Sequence, residues 1–172
     1  MAAVLYMVPL SLSIASSARV SYWIGAGQTH KARLALRTGL GLVVLMSLAL
    51  AGLIAWQHRA IAEFYTQSAE VAALAATLLL WLTLYHMADA VQVFCVFTLR
   101  CYRITVLPLI TYTILLWGLG LAGGYVVAYG NAWRYATWLT PQSPIAFWQT
   151  ASLALYVTSA VLLPVLWRAA YH

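Results

Sequence analysis

Acidic side chains are nearly missing from this sequence, which has three Asp and Glu against nine Lys and Arg in 172 residues. Charged residues of both signs reach only 7%, where an ordinary soluble domain carries roughly a quarter. With 65% hydrophobic residues and a mean hydropathy of +0.88, such a chain is an integral membrane protein. Cysteine is scarce as well. Cys95 and Cys101 stand six apart near one end of a helix and point to different faces, which argues against a disulfide between them. There is no CxxC pair, no zinc spacing and no glycine-rich phosphate loop, so ATP-driven export is not encoded here. Short alternating strands are lacking too, and the long unbroken apolar runs exclude a β-barrel. The formal charge of +6 does not indicate nucleic acid, because Lys31 and the arginines are scattered at the ends of apolar runs, where they report topology. An enzyme is not expected, since the serines of the first span and His86 form no known catalytic spacing. His30, His58 and His172 fall outside the apolar spans, so the facing histidines that haem needs are absent, and His86 is expected to be a bundle residue with its hydrogen bonds satisfied.

What is present is a set of five apolar spans, at about 1–25, 34–56, 71–99, 106–129 and 145–167. The fold class is therefore all-α, a polytopic helical bundle of about five transmembrane helices, with eight Trp and eleven Tyr available for aromatic belts at the interfaces. The first span has no basic segment ahead of it, as a signal peptide would. It carries Pro9 among Ser11, Ser13, Ser16 and Ser17, and a proline-freed carbonyl inside a membrane needs protein around it, so this helix is expected to be packed on several sides. The fourth span holds Pro108 in its first turn, where a missing N–H is harmless, and Gly120 and Gly124 at the GxxxG spacing that lets a second helix approach closely. Trp133, Tyr135 and Trp138 in the following loop suit a headgroup surface.

Basic residues fix the orientation. Lys31, Arg33 and Arg37 follow the first span, and Arg100 and Arg103 follow the third. Arg168 ends the fifth, while the intervening loops are sparse in basic residues. The positive-inside rule then places the C-terminus in the cytoplasm. By the same count Met1 lies on the outer side at the very edge of hydrocarbon, so the chain reads as one whose beginning is missing.

The third span, VAALAATLLLWLTLYHMADAVQVFCVFTLRCYR, is an apolar run far too long for a globular core helix, and it contains one carboxylate, Asp89. Insertion scales put an Asp at the centre of a spanning helix at roughly +2.5 to 3.5 kcal/mol, so such an acid is a functional-site hypothesis by default. Arg100 lies about 16 Å further along the helix, which sets the carboxylate near the middle of a hydrocarbon core about 30 Å thick. Tyr85 precedes it by four residues and Gln92 follows by three, both on its face, with His86 on the adjacent edge. Tyr85 is a candidate ligand, and Gln92 and His86 are candidates for supporting it. Arg19, near the inner end of the first span, and Arg100 are candidates for headgroup or gate contacts.

The run LYHMADAVQVFCVFTLRCYR, with MVPLSLSIASSARVSYWIGAGQTHKAR before it and WGLGLAGGYVVAY after it, resembles the C-terminal lobe of bacterial multidrug and toxic compound extrusion (MATE) transporters. The resemblance covers residues 1–172, corresponding to the family's eighth to twelfth helices. It implies part of a two-lobe, twelve-helix exporter of the bacterial inner membrane, driven by Na⁺ or H⁺ and expelling cationic amphipathic drugs, with no organic cofactor. By the same resemblance Asp89 binds the coupling cation, as Na⁺ or as a proton, with the help of Tyr85. A glutamate on the family's seventh helix completes that site, and the partners implied are the lipid bilayer and the N-terminal lobe with that seventh helix, from the same or a separate chain. The alternative is a truncated, non-transporting remnant or an accessory membrane subunit. Glycines usual in the family are replaced by Ser21, Cys101, Ala146 and Thr150, and a proline by Ala122, which puts close helix packing at those positions in question.

Overall fold

The computed structural model describes residues 2–130 and 145–171. Among them the regular elements are all helical: α1 (Ala2–Gly25), α2 (Thr29–Tyr65), α3 (Ala69–Cys101), α4 (Val106–Ile114), a π-helical stretch (Leu115–Ala122), α5 (Gly123–Tyr129) and α6 (Ile145–Tyr171). The stretch from α4 to α5 continues as one rod, Val106–Tyr129, so five helices are long and apolar enough to cross a membrane. The segment carrying Trp133, Tyr135 and Trp138 lies outside the described residues, as does His172.

α3 is central. α1, α2 and α6 each pack against it, and the α4–α5 rod lies against α6. In lipid there is no hydrophobic force to drive helices together, so association depends on close packing and on polar contacts between backbones. The buried stripe of α2 shows how this is met: Ala32, Leu36, Gly39, Val43, Ser47, Ala51 and Ile54 recur every three or four residues and are mostly small. Gly39 is the tightest point, for a Cβ there would lie 2.5 Å from Ser16 Oγ on α1 and 3.1 Å from the Phe94 ring on α3. Around that junction Val20, Leu36, Val43, Phe94, Cys95 and Leu99 form the core, joined from α6 by Leu162 and Leu166. Leu, Val and Ile side chains on the outward faces stay exposed, as a lipid-facing surface requires.

α1 departs from the expectation of a helix enclosed on several sides. It packs on α2 and α3, through Pro9, Ser13 and Val20, while Val4, Met7, Ile14 and Tyr22 are exposed. The hydroxyls are satisfied within the helix itself: Ser11 donates to Met7 O and Ser13 to Pro9 O at 2.7 and 2.6 Å.

The connections are shorter than the apolar spans alone would give. α2 has 37 residues, roughly 55 Å of helix at the α-helical rise, well beyond a core of about 30 Å. Lys31, Arg33 and Arg37 thus stand on the first turns of α2 instead of in a loop, and His30 and His58 are helical as well. Two of the breaks among the described residues fall where the backbone turns sharply. Gly27, at φ 70°, closes α1 with Gln28 N–H donating to Trp23 O and Gly27 N–H to Ile24 O. Arg103 plays the same part after α3 at φ 61°, with Ile104 N–H on Leu99 O and Arg103 N–H on Arg100 O.

Gly120 and Gly124 do mark a close crossing, and its partner is α6. A Cβ on Gly120 would meet Ala151 and Ala154 at 3.6 Å, and one on Gly124 would meet Phe147 at 2.7 Å. Ala146 and Thr150, where the resemblance leads to an expectation of glycine, are both buried. Thr150 makes a gain of the departure, since its Oγ1 lies 2.9 Å from Gly120 O across the interface, slightly nearer than Ala146 O or Phe147 O on its own helix at 3.0 and 3.2 Å. The acceptor lies in the π-helical stretch, where the usual i→i−4 ladder is displaced. Thr150→Val is expected to lower the stability of the purified chain by about 0.6 kcal/mol, the average for a hydrogen bond between membrane helices. A titration from mixed micelles into dodecyl sulfate reads it, and an unmoved midpoint contradicts the assignment.

Candidate functional site

Asp89 sits on the face of α3 that looks between α1 and α4. The residues Tyr85, Asp89, Gln92, Val96 and Arg100 recur every three or four positions and so form one stripe, and all five line a cavity of about 760 Å³. α1 contributes Tyr6 to the same cavity, α4 contributes Pro108 and Tyr112, and the turn after α3 contributes Ile104 and Thr105. Tyr6, Tyr85 and Tyr112 thus line the same cavity as Asp89. Three helices therefore bring three phenol oxygens, one amide and one carboxylate to a common space.

The opposite face of α3 is fixed in place. Ser159 Oγ on α6 donates to Ala88 O at 3.0 Å, and Ala88 and Ala90 on either side of Asp89 are buried against neighbouring helices. The backbone that carries Asp89 is thus held against α6 at the residue before it. Tyr85 is held from its other side by Trp148, whose ring centroid lies 5.5 Å away in a T-shaped contact. It also lines a second, smaller cavity of about 340 Å³ with Leu116, Phe147 and Trp148, so its ring is the wall between a polar and an aromatic space. Arg100 closes the basic end of the larger cavity, its guanidinium carbon 5.0 Å from the Phe97 ring centroid.

Four residues that the sequence singles out, Asp89, Tyr85, Gln92 and Arg100, are thus brought together. Two are not. Arg19 is exposed on α1 and lines none of this cavity. His86 points to the buried side of α3, and its Nε2 lacks a hydrogen-bond partner among the described residues, so the expectation of a satisfied bundle histidine is corrected. Tyr6 and Tyr112 are the members of the site that sequence reasoning does not reach. Tyr112 lies one turn after Pro108 on the same face of α4, and Tyr6 three residues before Pro9, but nothing in the sequence ties either to Asp89 until the helices are packed.

Chemically the arrangement suits one positive charge. A hard cation takes oxygen ligands, and a single carboxylate with phenol and amide oxygens can balance Na⁺ or a proton. Among the described residues no three His, Cys, Asp or Glu side chains meet as a metal site. The apolar remainder of the wall, Val93, Val96, Phe97 and Leu109, leaves room for the body of an amphipathic molecule.

The chain is 33% identical over 164 residues to a probable multidrug resistance protein NorM of Aromatoleum aromaticum, a match that covers 94% of this chain. It spans only 34% of that relative's length. The MatE family model matches residues 1–126, which take in α1, α2, α3 and the rod as far as Val126. This multi-pass membrane chain belongs to the MatE family.

Proposed function

We propose that the chain supplies the coupling-cation site of an inner-membrane antiporter that exports cationic amphipathic compounds against an inward flow of Na⁺ or H⁺. The observation that carries this reading is the cavity in which Asp89, the only carboxylate, faces Tyr6, Tyr85, Tyr112 and Gln92. Ionised, Asp89 attracts a cation or the positive end of a drug. Neutralised by Na⁺ or a proton, it no longer favours the drug, and the helices around it settle into a different arrangement. Coupling then follows from the differential affinity of the two states for the two ligands, and it is reciprocal.

The chain spans about a third of the relative's length, and in this reading helices of the unmatched part, with an acid on one of them, complete the site. A second reading is a non-transporting remnant or accessory subunit. One experiment separates the two. Drug-hypersensitive bacteria are given this chain alone, a MatE-family segment covering the unmatched part alone, or both, and ethidium efflux is followed with and without an ion gradient. Efflux that needs both chains and stops when the gradient is collapsed supports the antiporter; no efflux with both chains present in the membrane supports the remnant.

The orientation is open to test as well. In this reading the C-terminus and the α1–α2 turn, where basic residues gather, face the cytoplasm. A cysteine introduced at Gln28, exposed in that turn, is expected to react only after the membrane is made permeable to the reagent. Labelling from outside intact cells would invert the topology.

A further inference from the structure

At the basic end of the bundle, arginines on α2 reach across to the last turn of α6. Arg33 Nε donates to Ala170 O at 2.8 Å, which satisfies a helix-end carbonyl that has no donor of its own. Arg37, one turn further along, is exposed. Its guanidinium carbon lies 5.5 Å from the Tyr171 ring and 5.9 Å from the Trp167 ring. Those two rings stack at 5.6 Å. Ring faces attract a cation without neutralising it. Of the three acids in the sequence, Glu63 and Glu70 flank the far end of α2, and Asp89 lies in the cavity between α1, α3 and α4. Among the described residues none of them lies beside Arg37.

Next to Arg37 runs a hollow of about 520 Å³ between α2 and α6, lined by Leu40, Gly41, Val44, Leu45, Leu48 and Trp167. From Arg37 to Leu48 the helix rises about 16 Å, half the thickness of a hydrocarbon core of about 30 Å, which is the depth of one leaflet. A Cβ at Gly41 would meet nothing within 4 Å, so the glycine leaves the hollow open. The hollow shares no residue with the Asp89 cavity.

We propose that this hollow binds an anionic phospholipid, with an acyl chain along Leu40 to Leu48 and the headgroup phosphate on Arg37. The guanidinium offers a phosphate paired, charge-assisted donors, the apolar floor has the length of one chain, and Trp167 stands at the depth where indoles mark the interface. The site depends on the basic end of α2 lying at a membrane surface and not on cation coupling, so the two proposals fail separately.

The test uses the full chain in phosphatidylcholine vesicles containing a minor fraction of brominated phosphatidylglycerol or, in parallel, of brominated phosphatidylcholine. Bromine quenches nearby tryptophan, and subtracting the signal of Trp167→Phe isolates Trp167 from the other tryptophans. The expected result is about fivefold enrichment of the anionic lipid at Trp167, the ratio that corresponds to about 1 kcal/mol per basic side chain at a membrane surface. Arg37→Gln is expected to erase that preference while both lipids still quench. Gly41→Leu, which fills the hollow without a clash, is expected to weaken quenching by both, and Arg59→Gln at the far end of α2 to change nothing. Equal quenching by the two lipids in the unaltered chain, or a preference that survives Arg37→Gln, would overturn the proposal.

Discussion

Asp89→Asn is expected to abolish ion-dependent efflux by the assembled transporter while leaving the helices in place. Asparagine keeps the size and one oxygen of the side chain and removes only the charge. A charge-assisted contact is worth about 1.5–3 kcal/mol, so the cation affinity of the cavity should fall roughly ten- to a hundredfold. Coupling is reciprocal, and the drug-induced release of the cation should be lost with it. Asp89→Glu, which restores the charge on a longer arm, should recover part of the activity. Tyr85→Phe removes one neutral oxygen, worth about 1 kcal/mol, and is expected to weaken cation binding about fivefold without abolishing export. Efflux by Asp89→Asn at the unaltered rate and with unaltered ion dependence would remove the carboxylate from the mechanism.

The second large effect concerns the fold. Gly39→Leu should prevent α1, α2 and α3 from closing on one another. The first added carbon already meets Ser16 Oγ and Cβ at 2.5 and 2.8 Å, and behind them stands Phe94, fully buried on α3. Neither a backbone-anchored serine nor a locked ring can withdraw, so the helices must separate. Overpacking of this kind costs about 1–3 kcal/mol or more, and in a bundle without hydrophobic driving force the lost contact has no compensation from solvent. The expected readout is a dodecyl sulfate unfolding midpoint shifted far toward low denaturant. Gly52→Ala, at a position where a Cβ would meet nothing within 4 Å, should leave it unchanged or slightly raised, because alanine is the better helix former. Equal behaviour of the two variants would show that the α1–α2–α3 junction is not formed as described.

Much of the site is legible in the sequence. A carboxylate in an apolar run names itself through its solvation energy, and helical periodicity puts Tyr85, Gln92 and Arg100 on its face. The same periodicity cannot say which way that face turns, because α3 is apolar almost all round, and burial of its two sides is decided by α2 and α6. Hence His86, one residue from Tyr85, lies on the packed side with a nitrogen that has no partner among the described residues, and Tyr6 and Tyr112 enter the cavity unannounced. Gly120 and Gly124 identify a close approach but not its partner, and nothing in LLWGLGLA signals a π-helical stretch. Helix ends depart from the hydropathy boundaries where polar residues continue a helix beyond the membrane: hydropathy falls at Trp56, but the backbone finds no glycine or proline to stop it before Tyr65.

The central claim is that Asp89 exchanges a cation for a drug. The most direct measurement is ion release on drug binding, made on the assembled transporter in detergent. A cationic dye is added, and displaced radiolabelled Na⁺ and liberated protons are followed in parallel. The account predicts release of one or the other in step with dye binding, and no release from Asp89→Asn. Dye binding with neither ion released, or release that persists in Asp89→Asn, would contradict it.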